Sequence, residues 1–268
     1  MSVKKEANGR RSISVEVEVP GTPEEVWDAI ASGPGISKWF VPAQLDPRAG
    51  GKMVLNFGPG MDSESEITAW DAPHRFTAIN KDGLGPNAPE MATEWTVEAR
   101  DGGTCLVRVV HSLFADTDDW DKQLGDVESG WPSFFVVLRM YLSQYRGQPG
   151  AYFQVMAPVP GTTIEGWRAL MGKLGLPSLA VGTKIQSQAG TAPLAGTVEK
   201  IKPEPHANDM IVRLNEPAPG AAILQTCGFG GQTFFVGSFY FFGPKASEGL
   251  KAEKQWQDWL GKSAAAAS

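Results

Sequence analysis

One segment of this chain is written twice. Val19-Pro-Gly-Thr-Pro-Glu-Glu-Val-Trp-Asp-Ala-Ile30 and Val159-Pro-Gly-Thr-Thr-Ile-Glu-Gly-Trp-Arg-Ala-Leu170 agree at seven of twelve positions, at a constant offset of 140 residues. Each copy follows an extended stretch, 13–19 and 152–157. Self-similarity at a fixed long offset marks a tandem duplication. Two domains of one fold are therefore expected, residues 1–146 and 151–268, joined by the short linker Gly147-Gln-Pro-Gly150. Either half is long enough to bury its own core.

The first half shows why each copy begins as it does. Ile13, Val15, Val17 and Val19 alternate with Ser12, Ser14, Glu16 and Glu18, the pattern of a half-buried strand. Thr22 then suits a helix N-cap, Pro23 the first helical position, and Glu25 completes a capping box. The Gly33-Pro-Gly35 break leads to a second short helical piece over 36–40. Several extended segments follow. Met53, Leu55 and Phe57 alternate with polar or smaller neighbours, and Asp101-Gly-Gly103 between 91–100 and 104–114 is a hairpin signal. Within 104–114 the charge of Arg108 sets the phase: Cys105, Val107, Val109, His111 and Leu113 should face inward. On the preceding strand Thr93, Trp95 and Val97 point inward and Glu94 and Glu98 outward. A helix over 119–145 closes the domain, with Trp131, Phe134, Phe135, Leu138 and Leu142 on one side. Pro132 should kink that helix or mark its beginning.

The second half repeats the order more loosely: strand 152–157, helix 162–174, extended pieces 183–188, 194–201, 210–214, 221–229 and 233–242, and a helix over 246–260. The tail 264–267 is expected to be unstructured. Segment 233–242, with Phe234, Phe235, Phe239, Tyr240, Phe241 and Phe242, is apolar on both faces. One of its faces is therefore expected to pack on other structure, and a homodimer through this strand is one way to cover it.

Charge and cysteine content exclude several classes. A net charge of -6 argues against a nucleic-acid partner, which requires clustered Lys and Arg. Cys105 and Cys227 have neither disulfide-scaffold nor zinc-site spacing. The opening residues 1–11 are polar and basic, unlike a signal peptide. No apolar run approaches the roughly 20 residues of a membrane span. A cytoplasmic setting is expected.

Chemistry-bearing motifs are sparse. There is no phosphate-binding glycine loop and no Gly-x-Ser-x-Gly elbow. His74, His111 and His206 lack ligand spacing, so neither a metal nor a cofactor is expected. The aspartates 116, 118, 119 and 121 around Trp120 suit the start of a helix and lack the further ligands of a calcium loop. His111 is the one inward-pointing imidazole. Either it is a core histidine bonded to neighbouring backbone, or it serves as an acid or base near neutral pH.

The set formed by the 19–30 segment, Ile36-Ser-Lys-Trp-Phe40, Gly50-Gly51, Trp70-Asp-Ala-Pro-His-Arg-Phe76, Val110-His-Ser-Leu-Phe114 and Glu128-Ser-Gly-Trp131 resembles the START-like superfamily, in the branch related to the C-terminal domain of the Hsp90 ATPase activator. The resemblance spans nearly all of 12–146, and the repeat extends it to the second half. It implies an α+β chain of two tandem helix-grip domains, each a curved antiparallel sheet wrapped around a long C-terminal helix. Such a sheet can leave an apolar cavity beside its helix, and with no catalytic constellation in the chain the expected function is binding of a small hydrophobic molecule there without catalysis. Expected lining residues are His111, Trp95, Phe57, Trp131, Leu55 and Val109. A polyketide cyclase- or aromatase-type enzyme and a chaperone-associated or dimeric interaction module are the alternatives.

Overall fold

The computed structural model describes residues 3–58, 60–81, 83–84, 88–176, 179–203 and 205–265. The chain divides between Arg146 and Gly147 into two compact units.

The first unit runs β1 (Lys4–Lys5), β2 (Arg10–Pro20), α1 (Pro23–Ile30), α2 (Gly33–Ile36), β3 (Ala43–Leu45), β4 (Lys52–Asn56), β5 (Asp62–Asp71), β6 (Arg75–Asn80), β7 (Met91–Arg100), β8 (Thr104–Phe114) and α3 (Asp121–Met140), which ends in a π-type turn over Tyr141–Tyr145. The eight strands form one antiparallel sheet in the order β1-β2-β8-β7-β6-β5-β4-β3. The helix α3 lies against β2 on its inner face.

Local chemistry explains these boundaries. At the start of α1 the Thr22 hydroxyl accepts from the Glu25 backbone N–H, and the Glu25 carboxylate accepts from that of Thr22 at 2.9 Å. Two of the four orphan donors of the helix N-terminus are thereby satisfied. The break after α1 has a steric reason: a Cβ on Gly35 would lie 2.0 Å from the Asp28 carbonyl oxygen, so only glycine lets α2 fold back on α1. The strand phase follows Arg108, which pairs with Glu16 at 2.5 Å and Glu98 at 3.7 Å on the outer face. Its neighbours Cys105, Val107, Val109, His111 and Leu113 are all buried. Asp121 stands in the first turn of α3, where a carboxylate suits the helix N-terminus, although no side chain caps the helix. Asp118 and Asp121 also accept from the buried Arg11 at 2.7 and 2.6 Å, tying the helix start to β2. The hydrogen bonds from Lys5 come first in holding both carboxyl groups below the usual range, and Arg11 adds to them. Pro132 does not mark the beginning of α3, because the helix starts eleven residues earlier, at Asp121.

The second unit runs β9 (Gly150–Val159), α4 (Thr163–Lys173), β10 (Lys184–Gln186), β11 (Ala195–Ile201), β12 (Asp209–Glu216), β13 (Gly220–Phe229), β14 (Gln232–Phe242), α5 (Ala246–Gly249) and α6 (Lys251–Ala265). Its antiparallel sheet has the order β10-β11-β12-β13-β14-β9. The capping box recurs at α4, with Thr162 and Glu165 in the places of Thr22 and Glu25. Both units are thus helix-grip folds, each with a short helix after its first long strand and a longer one at its end.

Trp256 on α6 fills the second core. It is fully buried, stacks on Phe235 at 5.9 Å, meets Phe239 at 5.0 Å, and donates its indole N–H to the Pro193 carbonyl at 3.0 Å. Most aromatic residues of β14 are buried, and Phe234 is half-buried. Phe235, Phe239 and Phe241 belong to this core, Tyr240 packs on Tyr152 at 5.1 Å, and all four are buried, as is Phe242. Of the tail expected to be unstructured, Ala264 and Ala265 extend α6, and the remainder lies outside the described residues.

Candidate ligand-binding cleft

The first unit is not filled in the same way. Between its sheet and α3 lies a cleft of about 610 Å³. From α3 come Trp131, Phe134 and Gly130; from the segment after α2 come Trp39 and Phe40. The sheet adds Leu55 and Met53 of β4, Thr93 and Trp95 of β7, and His111 of β8, with Phe57 just beyond β4. The aromatic walls hold one another in place. Phe40 meets Phe134 edge-on at 4.6 Å and Trp131 at 5.0 Å, while Trp95 meets Trp131 edge-on at 5.1 Å. Such pairs add about 0.5–1.5 kcal/mol each beyond simple burial.

Five of the six residues expected at a cavity therefore line this one: Leu55, Phe57, Trp95, His111 and Trp131. Val109 does not. It shares their inward phase but pairs directly across from Trp95 and Val15, is fully buried, and does not reach the cleft surface.

His111 is bonded at both nitrogens. Nε2 accepts from the Trp131 indole N–H at 2.8 Å, and Nδ1 lies 2.9 Å from the Thr93 hydroxyl. The partners are side chains from α3 and β7, not the neighbouring backbone. Burial, with no nearby charge to offset it, pushes the imidazole pKa down to about 4. The ring is neutral at physiological pH, and its geometry makes it a strut between sheet and helix.

The rim of the cleft is polar. Ser63 and Glu64 of β5 and Asn80 of β6 line it, and the Asn80 amide donates to the Ser63 hydroxyl at 2.6 Å. Asp62 and Asp126 stand at the same rim. Sequence reasoning left these out because strand alternation marks Ser63 and Ser65 only as small polar residues among carboxylates. Thr93 carried a usable signal, since it shares the inward phase of Trp95. Among the described residues no group of three His, Cys, Asp or Glu side chains could hold a metal ion, and no helix is long and apolar enough to cross a membrane.

A curved antiparallel sheet gripping a long terminal helix, with an aromatic-walled cleft between them, makes the first unit a START-like domain. Residues 20–143 match the family described as activator of Hsp90 ATPase homolog 1-like protein, which places this unit in the branch of the superfamily related to that activator. Among solved structures the chain is similar to CalU16 from Micromonospora echinospora, at 22% identity over 53% of this chain and 83% of that one, with a TM-score of 0.42. It is similar along most of its length to DynU16 of the dynemicin biosynthetic locus, at 17% identity over 95% and 96% of the two chains, with a TM-score of 0.42. BexL, a di-domain ARO/CYC from the BE-7585A biosynthetic pathway, is 14% identical over 94% of each chain, with a TM-score of 0.45. No curated protein matches the chain.

Proposed function

We propose that the first unit binds a small, largely apolar molecule in the cleft between its sheet and α3, without chemical conversion. The observation that carries this reading is the cleft itself: about 610 Å³, walled by Phe40, Leu55, Trp95, Trp131 and Phe134. That volume falls in the range of roughly 300–1,000 Å³ used by small-molecule sites. An enzyme of the cyclase or aromatase type needs a positioned acid or base. The inward imidazole that would supply one is held by Trp131 and Thr93 and kept neutral by burial. Titration with N-phenyl-1-naphthylamine, a neutral fluorophore that brightens in apolar surroundings, tests the reading. Saturable binding at one site per chain is expected, and a flat titration would overturn it. Mass spectrometry of small molecules released from the purified protein would then identify the natural occupant.

A further inference from the structure

The hydrogen bonds around His111 have a direction, and the direction leaves one donor over. An indole nitrogen can only donate, so Nε2 of His111 must present a lone pair to Trp131. The neutral ring then carries its proton on Nδ1, and Nδ1–H donates to the Thr93 oxygen at 2.9 Å. Thr93 is therefore an acceptor in that bond, and its own hydroxyl hydrogen remains to be given away. Among the described residues the Thr93 hydroxyl has no other partner. The residue lines the cleft, next to Trp95 on the same face of β7.

The charge of the lining says what kind of acceptor fits. Asp62, Glu64 and Asp126 stand at the rim, and among the described lining residues there is no Lys or Arg. A carboxylate or phosphate would meet repulsion there with no compensating cation. A neutral oxygen on an apolar body meets neither problem.

The geometry points to Thr93 as the specificity-determining donor of the site: the occupant is an uncharged apolar molecule carrying a hydrogen-bond acceptor such as a ketone oxygen, which accepts from the Thr93 hydroxyl. This rests on the reading of the cleft as a ligand site and goes beyond it by naming the polar group that is read. Trp131 and His111 act through Thr93 as positioning residues, since their chain of bonds fixes which way the hydroxyl faces.

The test compares two molecules of one shape, 2-acetylnaphthalene and 2-isopropenylnaphthalene, which differ in the acceptor oxygen. Each is titrated by displacement of N-phenyl-1-naphthylamine from the wild type, Thr93→Val and Thr93→Ser. The quantity read is the ratio of the two dissociation constants, hydrocarbon over ketone. One hydrogen bond predicts that this ratio falls about fivefold in Thr93→Val, while Thr93→Ser keeps the wild-type ratio. Thr93→Val also takes away the oxygen that accepts from His111 Nδ1–H, a loss common to both ligands that cancels in the ratio. An unchanged ratio in Thr93→Val overturns the assignment of Thr93 and leaves the cleft reading intact. A wild type that binds neither molecule nor the fluorophore overturns both. Should Thr93→Val fail to fold, nuclear Overhauser contact between the acetyl methyl of the bound ketone and the Thr93 γ-methyl in the wild type decides: contact supports the assignment, and its absence overturns it.

Discussion

The indole N–H of Trp131 points at Nε2 of His111 across 2.8 Å, with the two ring planes 21° apart. One partner sits on the terminal helix and the other on the strand beneath it. The bond therefore closes the sheet on the helix at the inner end of the cleft. It also sets the tautomer. At neutral pH the nitrogen-detected spectrum of His111 should show Nδ1 protonated and Nε2 bare. Trp131→Phe leaves Nε2 without its donor in a buried place, which should lower stability by about 1–3 kcal/mol before any loss of packing. Urea denaturation measures this, and a variant as stable as the wild type would show that the bond does not hold the helix.

The same burial gives stability a pH dependence of known sign. In the unfolded chain His111 titrates near its ordinary value of 6.5, and in the folded unit near 4. Between those values the unfolded state binds a proton that the folded state does not. Stability is thus intact above about pH 6.5 and is lost as pH falls toward 4, by up to about 3 kcal/mol from this residue. His111→Gln lacks the titrating group. The stability difference between wild type and variant should therefore shift steadily against the wild type on acidification through that window. A difference that stays flat from pH 7 to pH 4 would refute the assignment.

Much of this was legible in the chain before its fold was known, for identifiable reasons. The Thr22–Glu25 capping box is a short-range device, and it recurs at Thr162–Glu165 because the local hydrogen bonds are the same. The phase of β8 was readable because Arg108 breaks the apolar run and side chains alternate strictly. What alternation cannot show is depth. Val109 and His111 share a face, yet one is fully buried away from the cleft and the other reaches it. Nor could sequence pattern show that His111 is committed. Its partners come from 18 residues before it and 20 residues after it, on different elements. The apolar run of β14 was legible as a strand covered on both sides, but not that Phe235, Phe239 and Phe241 would share one core while Tyr240 pairs across the sheet with Tyr152.

Gly130 offers a way to plug the cleft without disturbing its walls. It lies within α3, lines the cleft, and a Cβ placed there meets no atom within 4 Å. Leucine at this position would project into the cavity, and it replaces the residue least suited to a helix interior apart from proline, a gain of about 0.5–1 kcal/mol. Gly130→Leu should therefore be at least as stable as the wild type in thermal unfolding. Its affinity for N-phenyl-1-naphthylamine should drop at least about tenfold, the cost of losing about 1.4 kcal/mol of apolar contact. A stable variant that binds the fluorophore normally would move the site elsewhere.

Trp256 shows why the two units, built on one plan, should differ in binding. In the first unit α3 brings Gly130 to the space over the sheet, and Trp131 leans toward His111, so the middle of the grip stays open. In the second unit α6 sends Trp256 into the interior, where it stacks on Phe235, touches Phe239 and is anchored by the Pro193 carbonyl. The indole fills the interior of that unit. Trp256→Ala should cost about 3–5 kcal/mol in the urea transition of the second unit, because a buried indole is removed and its neighbours relax only partly. Binding of N-phenyl-1-naphthylamine at the first unit should be unchanged at temperatures where the variant remains folded. A second, weaker site for the same fluorophore is expected in the space vacated, since an apolar cavity of this kind stays dry and accepts apolar guests. If the original site is lost instead while the first unit keeps its native stability, the second unit is the binding partner and the cleft over His111 is not.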